Sequence, residues 1–368
     1  MKSSHQYLAP NIIAGTHFNV ERFNELYRWI EAGRADALRI GAAGHGLLCD
    51  EHGDVGLDLK LSGDLLQLTK CTALTRQGTL IDIRPSLTGS LHLQITPADL
   101  NGQDRVDVVL ICVPDGKRRA TGTADPTEIP LRAPFSVPEV RLELHPPGTV
   151  PATADTLKIG ELVQQDDAIH LADYLPACLE NAAHPTLKEH QHKSVQYLTD
   201  FQQALILIVQ NIDSTKEEVI VTRFADVCEQ IGRFLATRMP VIKATRPHDN
   251  PRDLFTIYFA LAELINFEWS IRKSYHSELS NLIRYNVKQS VVSFDINTVH
   301  ELSQFRPMDD CMDEILHHIR ELNEHFLLPI INVSKQSRVL VEFKRVGWDG
   351  EQKKVAPKPV KKENSWNW

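Results

Sequence analysis

The sequence predicts an α+β chain of several domains: an N-terminal β-sandwich or barrel, then a helical bundle, then a short C-terminal region. Three observations predict it. Before about residue 170, apolar side chains recur at every second position, the period of half-buried strands. Beyond Leu187 they recur at three-to-four spacing, the period of amphipathic helices. The change falls inside one stretch, Leu171–Leu187, LADYLPACLENAAHPTL. A chain of 368 residues holds roughly two or three domains. The expected boundaries are 1–175 for a β-rich domain with an N-terminal helix, 176–305 for the bundle, 306–346 for a short C-terminal unit, and 347–368 for a disordered Lys/Pro-rich tail.

In chain order, Phe23, Leu26, Tyr27 and Ile30 predict an amphipathic helix over Val20–Ala32, with Gly33 as its stop. Leu57, Leu59 and Leu61 alternate with polar residues, as do Leu91, Leu93 and Ile95, and Val140, Leu142 and Leu144, giving three strands. Val106–Val113 is nearly all apolar and reads as a strand buried on both faces. Turn signals lie at Asp50–Asp54, Arg76–Gly78, Asn101–Asp104, Pro114–Gly116 and Pro146–Pro151, and Gly116–Pro134 reads as a long exposed loop. Many short strands so spaced suggest a sandwich or barrel.

Past the period change, Val195, Leu198, Phe201, Leu205, Ile208 and Ile212 predict a helix over Thr186–Asn211. Thr186 with Glu189 offers a capping box, and Pro185 is an alternative first-turn residue. A second helix starts near Ser214 and Glu217 and stops at Pro240, since proline breaks the i→i−4 ladder. Asn250–Pro251 opens a third, running to about Tyr275. A further helix spans Pro307–Phe326, with strands at Val291–Phe294 and around Val339–Phe343. Short loops between long helices favour antiparallel neighbours.

The totals exclude some functions. A net charge of −8 argues against nucleic acid as the main partner, because phosphate binding needs a basic face. Six cysteines are scattered without a CxxC pair and read as buried reduced thiols in a cytoplasmic protein. No run is apolar and long enough for a signal peptide or a membrane span.

No constellation for catalysis, cofactor binding or metal binding emerges. His184, His190 and His192 offer an H-x-H pattern, but residues two apart on a helix diverge, and a solvated helix face is the simpler reading. Gly41–Gly46 lacks the Gly-Lys-Ser/Thr ending of a phosphate loop and reads as a turn. Asp309, Asp310, Asp313 and Glu314 complement a helix N-terminus. The aromatic residues of the third helix read as core. The tail lysines and the closing Trp366 and Trp368 offer a docking peptide, since large aromatics anchor interfaces.

Two stretches resemble a known family. Tyr7-Leu8-Ala9-Pro10-Asn11-Ile12-Ile13-Ala14-Gly15-Thr16-His17-Phe18 aligns without gaps on the opening motif of the TssK baseplate subunits of type VI secretion systems, Trp-x-x-Gly-x-x-Leu-x-Pro-Gln-His-Phe. Tyr7 stands for the Trp, Ile13 for the Leu, and His17-Phe18 are kept; Pro10 replaces the Gly, and Gly15-Thr16 replace Pro-Gln. Asp173-Tyr174-Leu175-Pro176-Ala177-Cys178-Leu179 is similar to that family's Tyr-Ile-Pro-Pro-Cys-Leu, which closes a β domain ahead of a helical bundle. Gly63–Pro85 resembles the segment between them, with Arg76-Gln77-Gly78 in place of Pro-Asp-Gly.

The resemblance implies a non-enzymatic trimer. It implies a sandwich "shoulder" akin to the attachment domain of phage receptor-binding proteins, a helical "neck" and a C-terminal head. The shoulder would meet TssF/TssG-like wedge subunits, and the head an envelope complex at the cytoplasmic face of the inner membrane, without membrane insertion or cofactor. Tyr7, His17, Phe18, Tyr174, Pro176, Cys178 and Leu179 become candidate assembly and joint residues. The short chain after Phe326 is the main departure from the family and fits a divergent system such as the Bacteroidetes type. Two other readings remain at this point: a phage or phage-like tail adaptor or receptor-binding protein, and a metal-dependent hydrolase using His184, His190 and His192.

Overall fold

The computed structural model describes residues 44–335 except 51, 86–87, 101, 114–117, 122–134, 150–154, 166–167, 212–218, 272–293 and 305–311, together with scattered positions between 26 and 37. The N-terminal half is built of β-sheets and the C-terminal half of helices. Among the scattered early positions Leu26, Trp29 and Ile30 are helical, as expected. The helix does not stop at Gly33: Gly33, Arg34 and Ala37 are helical too.

The first sheet is organised around one long strand, β3 (Leu65–Leu74), to which β1 (Gly46–Leu47), β2 (Leu57–Ser62), β4 (Leu80–Ile83) and β5 (Leu91–Gln94) all pair antiparallel. The second half of β3 pairs β4 through Cys71↔Ile83 and Leu74↔Leu80, and its first half pairs β5 through Leu65↔Gln94 and Leu68↔Leu91. Against β2 the register slips: Asp58 faces Lys70 but Leu59 faces Leu68. Thr69 is therefore the extra residue of a β-bulge, and its hydroxyl donates to the Asp58 carboxylate. The bulge changes which side chains point inward, from Leu66 and Leu68 before it to Cys71 and Ala73 after it.

The second sheet runs β11 (Ala168–Leu171), β10 (Thr156–Gln165), β6 (Arg105–Cys112) and β9 (Val140–His145), all antiparallel. Val106, Val108, Val109 and Leu110 of β6 are all buried, so this central strand is covered on both faces as its composition predicts. Leu66, Leu68 and Ile81 of the first sheet share a continuous core with Val108, Leu110 and Leu157 of the second. Leu59 of β2 lies against Gly160 of β10. The stretch expected to be a loop, Gly116–Pro134, is in part a strand: β7 (Arg118–Thr121) pairs with β8 (Phe135–Pro138) in a two-stranded ribbon. Its sequence hides this because RRAT carries no apolar alternation.

The helices are α1 (Pro185–Asn211), α2 (Val219–Ala244), α3 (Pro251–Ser270), α4 (Asn297–Gln304), α5 (Met312–Leu322) and α6 (Leu328–Lys335), with a π-helical turn over Asn323–Leu327. α1 buries Leu187, His190, Ser194, Leu198, Phe201, Leu205 and Ile208, one stripe at three-to-four spacing. Its expected capping box is replaced: the helix starts at Pro185, and His184 Nδ1 accepts the Thr186 N–H at 3.4 Å, while Glu189 pairs with Lys193 at 2.6 Å. α2 continues through Pro240 instead of ending there. The missing N–H leaves the Ala236 carbonyl without its helical partner, yet Met239 and Ile242 on either side of the proline are buried, so packing holds the last turn. Asn250 caps α3, its side chain accepting the Arg252 N–H at 3.0 Å.

Phe326 sits at the centre of the helical core, its ring 6.4 Å from Phe201, 6.1 Å from Trp269 and 5.4 Å from Phe294. The π turn places Phe326 and Leu327, adjacent in sequence, both fully inside. Asn323, at its start, accepts the Tyr258 hydroxyl at 3.2 Å. Tyr258, Phe255 and Trp269 of α3 are core residues, as read from their spacing. Among the described residues no helix is long and apolar enough to cross a membrane. The strand expected at Val291–Phe294 lies, but for Phe294, outside the described residues, as does the one around Val339–Phe343.

Candidate functional site: the joint between the two halves

The stretch at which the period changes is knitted into both halves. Leu47 of β1 donates its N–H to the Ala177 carbonyl at 2.7 Å and accepts the Leu179 N–H at 2.8 Å, so residues 177–179 lie as a parallel addition to the free edge of β1. Gly46 makes this approach possible. Its φ is +142°, and a Cβ there would stand 2.5 Å from the Ala177 oxygen and 2.7 Å from the Cys178 nitrogen. Gly56 serves the neighbouring connection, donating to the Ala183 carbonyl at 3.2 Å and accepting the Thr72 N–H at 2.8 Å.

Pro176, Ala177, Cys178 and Leu179 are all buried. Because backbone groups alternate along a strand, residues 177 and 179 face β1 while 176 and 178 face away. Cys178 satisfies its outward N–H on the Met312 sulfur of α5 at 3.2 Å, and its thiol donates to the Pro176 carbonyl at 3.3 Å. Proline at 176 leaves no N–H to satisfy there. Burial pushes the Cys178 thiol well above its ordinary range, so this is an inert packing thiol. Cys49, Cys71, Cys112 and Cys228 are also free and buried.

Tyr174 ties the joint to the second sheet. The Lys158 ammonium of β10 stands 4.3 Å from the centre of its ring. The same ammonium pairs with Asp107 of β6 at 2.7 Å and with Glu161 at 2.5 Å, while Arg105 reaches Glu161 at 3.0 Å. Asp107 and Glu161 are buried, so the cation neutralises charge that water does not reach.

On the opposite flank, Asn181 donates its N–H to Asp249 O at 3.1 Å and its side-chain amide to the same oxygen at 2.9 Å, and Ala182 N–H reaches Pro247 O at 2.9 Å. This fixes the turn between α2 and α3 on the joint. Between these bonds, Glu180 accepts the Cys49 N–H at 2.6 Å, and His248 Nδ1 stands 3.6 Å from its other oxygen. Burial first, then Glu180, Asp50 and Asp54, push the Cys49 thiol up to about 12.

Of the residues singled out from sequence, Tyr174, Pro176, Cys178 and Leu179 come together here. Tyr7, His17, Phe18, Trp366 and Trp368 lie outside the described residues. His184, His190 and His192 do not converge. His192 is exposed, but His190 is not on a solvated face: it is buried, hydrogen bonded to Ser194 Oγ at 3.2 Å and close to the rings of Phe255 and Tyr258. Cys49, Glu180 and His248 gave no sequence signal, since Cys49 and Glu180 are 131 positions apart.

His190 has a consequence for acid stability. It sits beside a groove also lined by Glu189, Lys193, Tyr197, Arg320 and Glu324. Burial, helped by Arg320 and Lys193, lowers its pKa from 6.5 to about 4. Between those values the unfolded chain takes up a proton that the folded chain does not. The stability is whole above pH 6.5 and is lost as pH falls through 4, by about 3 kcal/mol. Urea denaturation at pH 7, 5 and 4 should show that His190→Leu removes this part of the acid sensitivity; parallel slopes for both proteins would contradict it.

No protein-family model and no curated protein sequence matches the chain. Solved structures do. The crystal structure of TssK matches with a TM-score of 0.52 at 12% identity, covering 87% of this chain and 70% of that chain. A chain of the baseplate complex from the type VI secretion system matches with a TM-score of 0.52 at 14% identity, covering 88% of this chain and 100% of that chain. A chain of the TssK-TssF-TssG baseplate subcomplex aligns over 91% of this chain and 99% of that chain at 14% identity, with a TM-score of 0.49. The fold is therefore of the class found in type VI secretion baseplates. Within that class it is the fold of TssK, in line with the resemblance carried by Tyr7–Phe18 and Asp173–Leu179.

Proposed function

We propose that this chain is a structural, non-enzymatic baseplate subunit of a contractile injection machine, a TssK-like homotrimer joining TssF/TssG-like wedge subunits to an envelope complex from the cytoplasmic side. The observation that carries the reading is the TssK fold across most of the chain, with the β half closing at the stretch that resembles the family's own closing motif. In this reading residues 1–175 are the shoulder, folded as a sandwich of the two sheets, 176–305 the neck bundle, 306–346 a reduced head and 347–368 a docking tail. The joint around Tyr174–Leu179 transmits position from one to the next. It is built for rigidity: backbone ladder bonds, buried apolar side chains and the inert Cys178 thiol.

A trimer has surface to use. Ile206 and Leu207 of α1, Val241 of α2 and Phe267 and Ile271 at the end of α3 are exposed apolar side chains on the neck helices. The test is co-purification with candidate wedge and envelope proteins, using full-length protein and a variant ending at Val346, with the oligomeric state measured by light scattering. The full chain is expected to be trimeric and to retain wedge subunits, and the truncated chain to lose only the envelope-side partner. A stable monomer at micromolar concentration that retains no wedge protein sinks the reading.

A further inference from the structure

We propose that Cys49, Glu180 and His248 form a binding site for one zinc-class divalent cation at the joint, with its remaining position open to water. A ligand atom from each of the three lies within 4.8 Å of the others. The set is thiol, carboxylate and imidazole, the mixture that favours zinc over the oxygen-seeking calcium and magnesium.

The three ligands are held by backbone on either side of them. Cys49 follows β1, whose Leu47 is bonded to Ala177 and Leu179. Glu180 stands between Leu179, bonded to Leu47, and Asn181, bonded to Asp249. His248 stands between Pro247 and Asp249, whose carbonyls accept from Ala182 and Asn181. Three chain segments distant in sequence thus present their ligands from one hydrogen-bonded frame, and a preorganised frame spares a metal the cost of ordering them. The Cys49 N–H already orients the Glu180 carboxylate at 2.6 Å, the kind of outer contact that fixes a ligand.

Access and burial are divided as a one-sided site requires. Cys49 is 8% exposed, whereas the His248 side chain is 60% exposed, so a cation enters from the imidazole side and water keeps a coordination position there. Asp54 adds negative charge near the thiol, and Asp50, also near it, is paired with Lys70 at 2.5 Å. On binding, the thiol gives its proton to solvent and the sulfur–metal bond forms, with no change of oxidation state. A cation here would pin the α2–α3 turn to β1 and Glu180 of the joint.

The test uses the full-length protein, stripped with a chelator and titrated with zinc and with cobalt(II). Uptake of one metal per chain is expected, and with cobalt a sulfur-to-metal charge-transfer band in the near ultraviolet, which only a thiolate ligand produces. Cys49→Ser should abolish that band. His248→Gln changes an exposed side chain outside the core and so tests the site even if Cys49→Ser folds poorly; it should weaken zinc binding by at least about tenfold. No metal uptake, cobalt binding without the band, or unchanged zinc affinity in His248→Gln overturns the proposal. None of these readouts depends on whether the chain joins a baseplate.

Discussion

Gly46→Ala is expected to lower folding stability by about 3 kcal/mol or more, through strain at a position where the backbone has no room to yield. The added methyl would stand 2.5 Å from the Ala177 oxygen, 2.6 Å from its carbonyl carbon and 2.7 Å from the Cys178 nitrogen, and φ is +142°. These neighbours are backbone, fixed by the Leu47 bonds to Ala177 and Leu179. Relief requires pulling the joint away from β1, which breaks those bonds. Chemical denaturation measures the effect, with Gly33→Ala as the comparison: that residue is helical, an added Cβ meets nothing within 4 Å, and alanine there should gain roughly 0.5 kcal/mol. Equal midpoints for the two variants would remove the steric account of the joint.

Lys158→Met is expected to cost a similar amount, about 3 kcal/mol, for an electrostatic reason. Asp107 would lose its cation 2.7 Å away in a buried setting, Glu161 would lose one of its two cations and keep Arg105 at 3.0 Å among the described residues, and the Tyr174 ring would lose the ammonium above it. The comparison is Arg141→Met on β9. Its partner Glu139 stands at 2.8 Å, but the arginine side chain is 59% exposed, and such surface pairs contribute about 1 kcal/mol or less. If denaturation midpoints shift equally in the two variants, the buried cluster is not what fastens Tyr174 to the sheet.

β2, β5 and β9 are legible in the sequence because each keeps one inward phase from end to end. β3 is not, because the bulge at Thr69 moves its inward positions from Leu66 and Leu68 to Cys71 and Ala73, and no single period spans LLQLTKCTAL. The joint is legible as a place, through Pro176 and the change of period, but not as a mechanism. What fastens it, Leu47, Lys158, Met312 and Asp249, comes from four distant segments that no spacing rule brings together. Pro240 shows the complementary failure: a strong local stop is overridden by burial of Met239 and Ile242. His190 reads as one of three polar histidines, and only the approach of α3 turns it into a core residue.

The two-residue strand β1 also sets an order of events during synthesis. So short a strand has no independent persistence, and among the described residues one of its edges is completed by residues 177–179. The first sheet therefore leaves the ribosome with an open edge beside β3 that waits while the rest of the β half is made. At two residues that edge is too short to template the addition of another chain. Closure of the joint is the step that completes the first sheet: it pairs the N–H and C=O of Leu47 and, in the same move, ties the β half to the helices that follow.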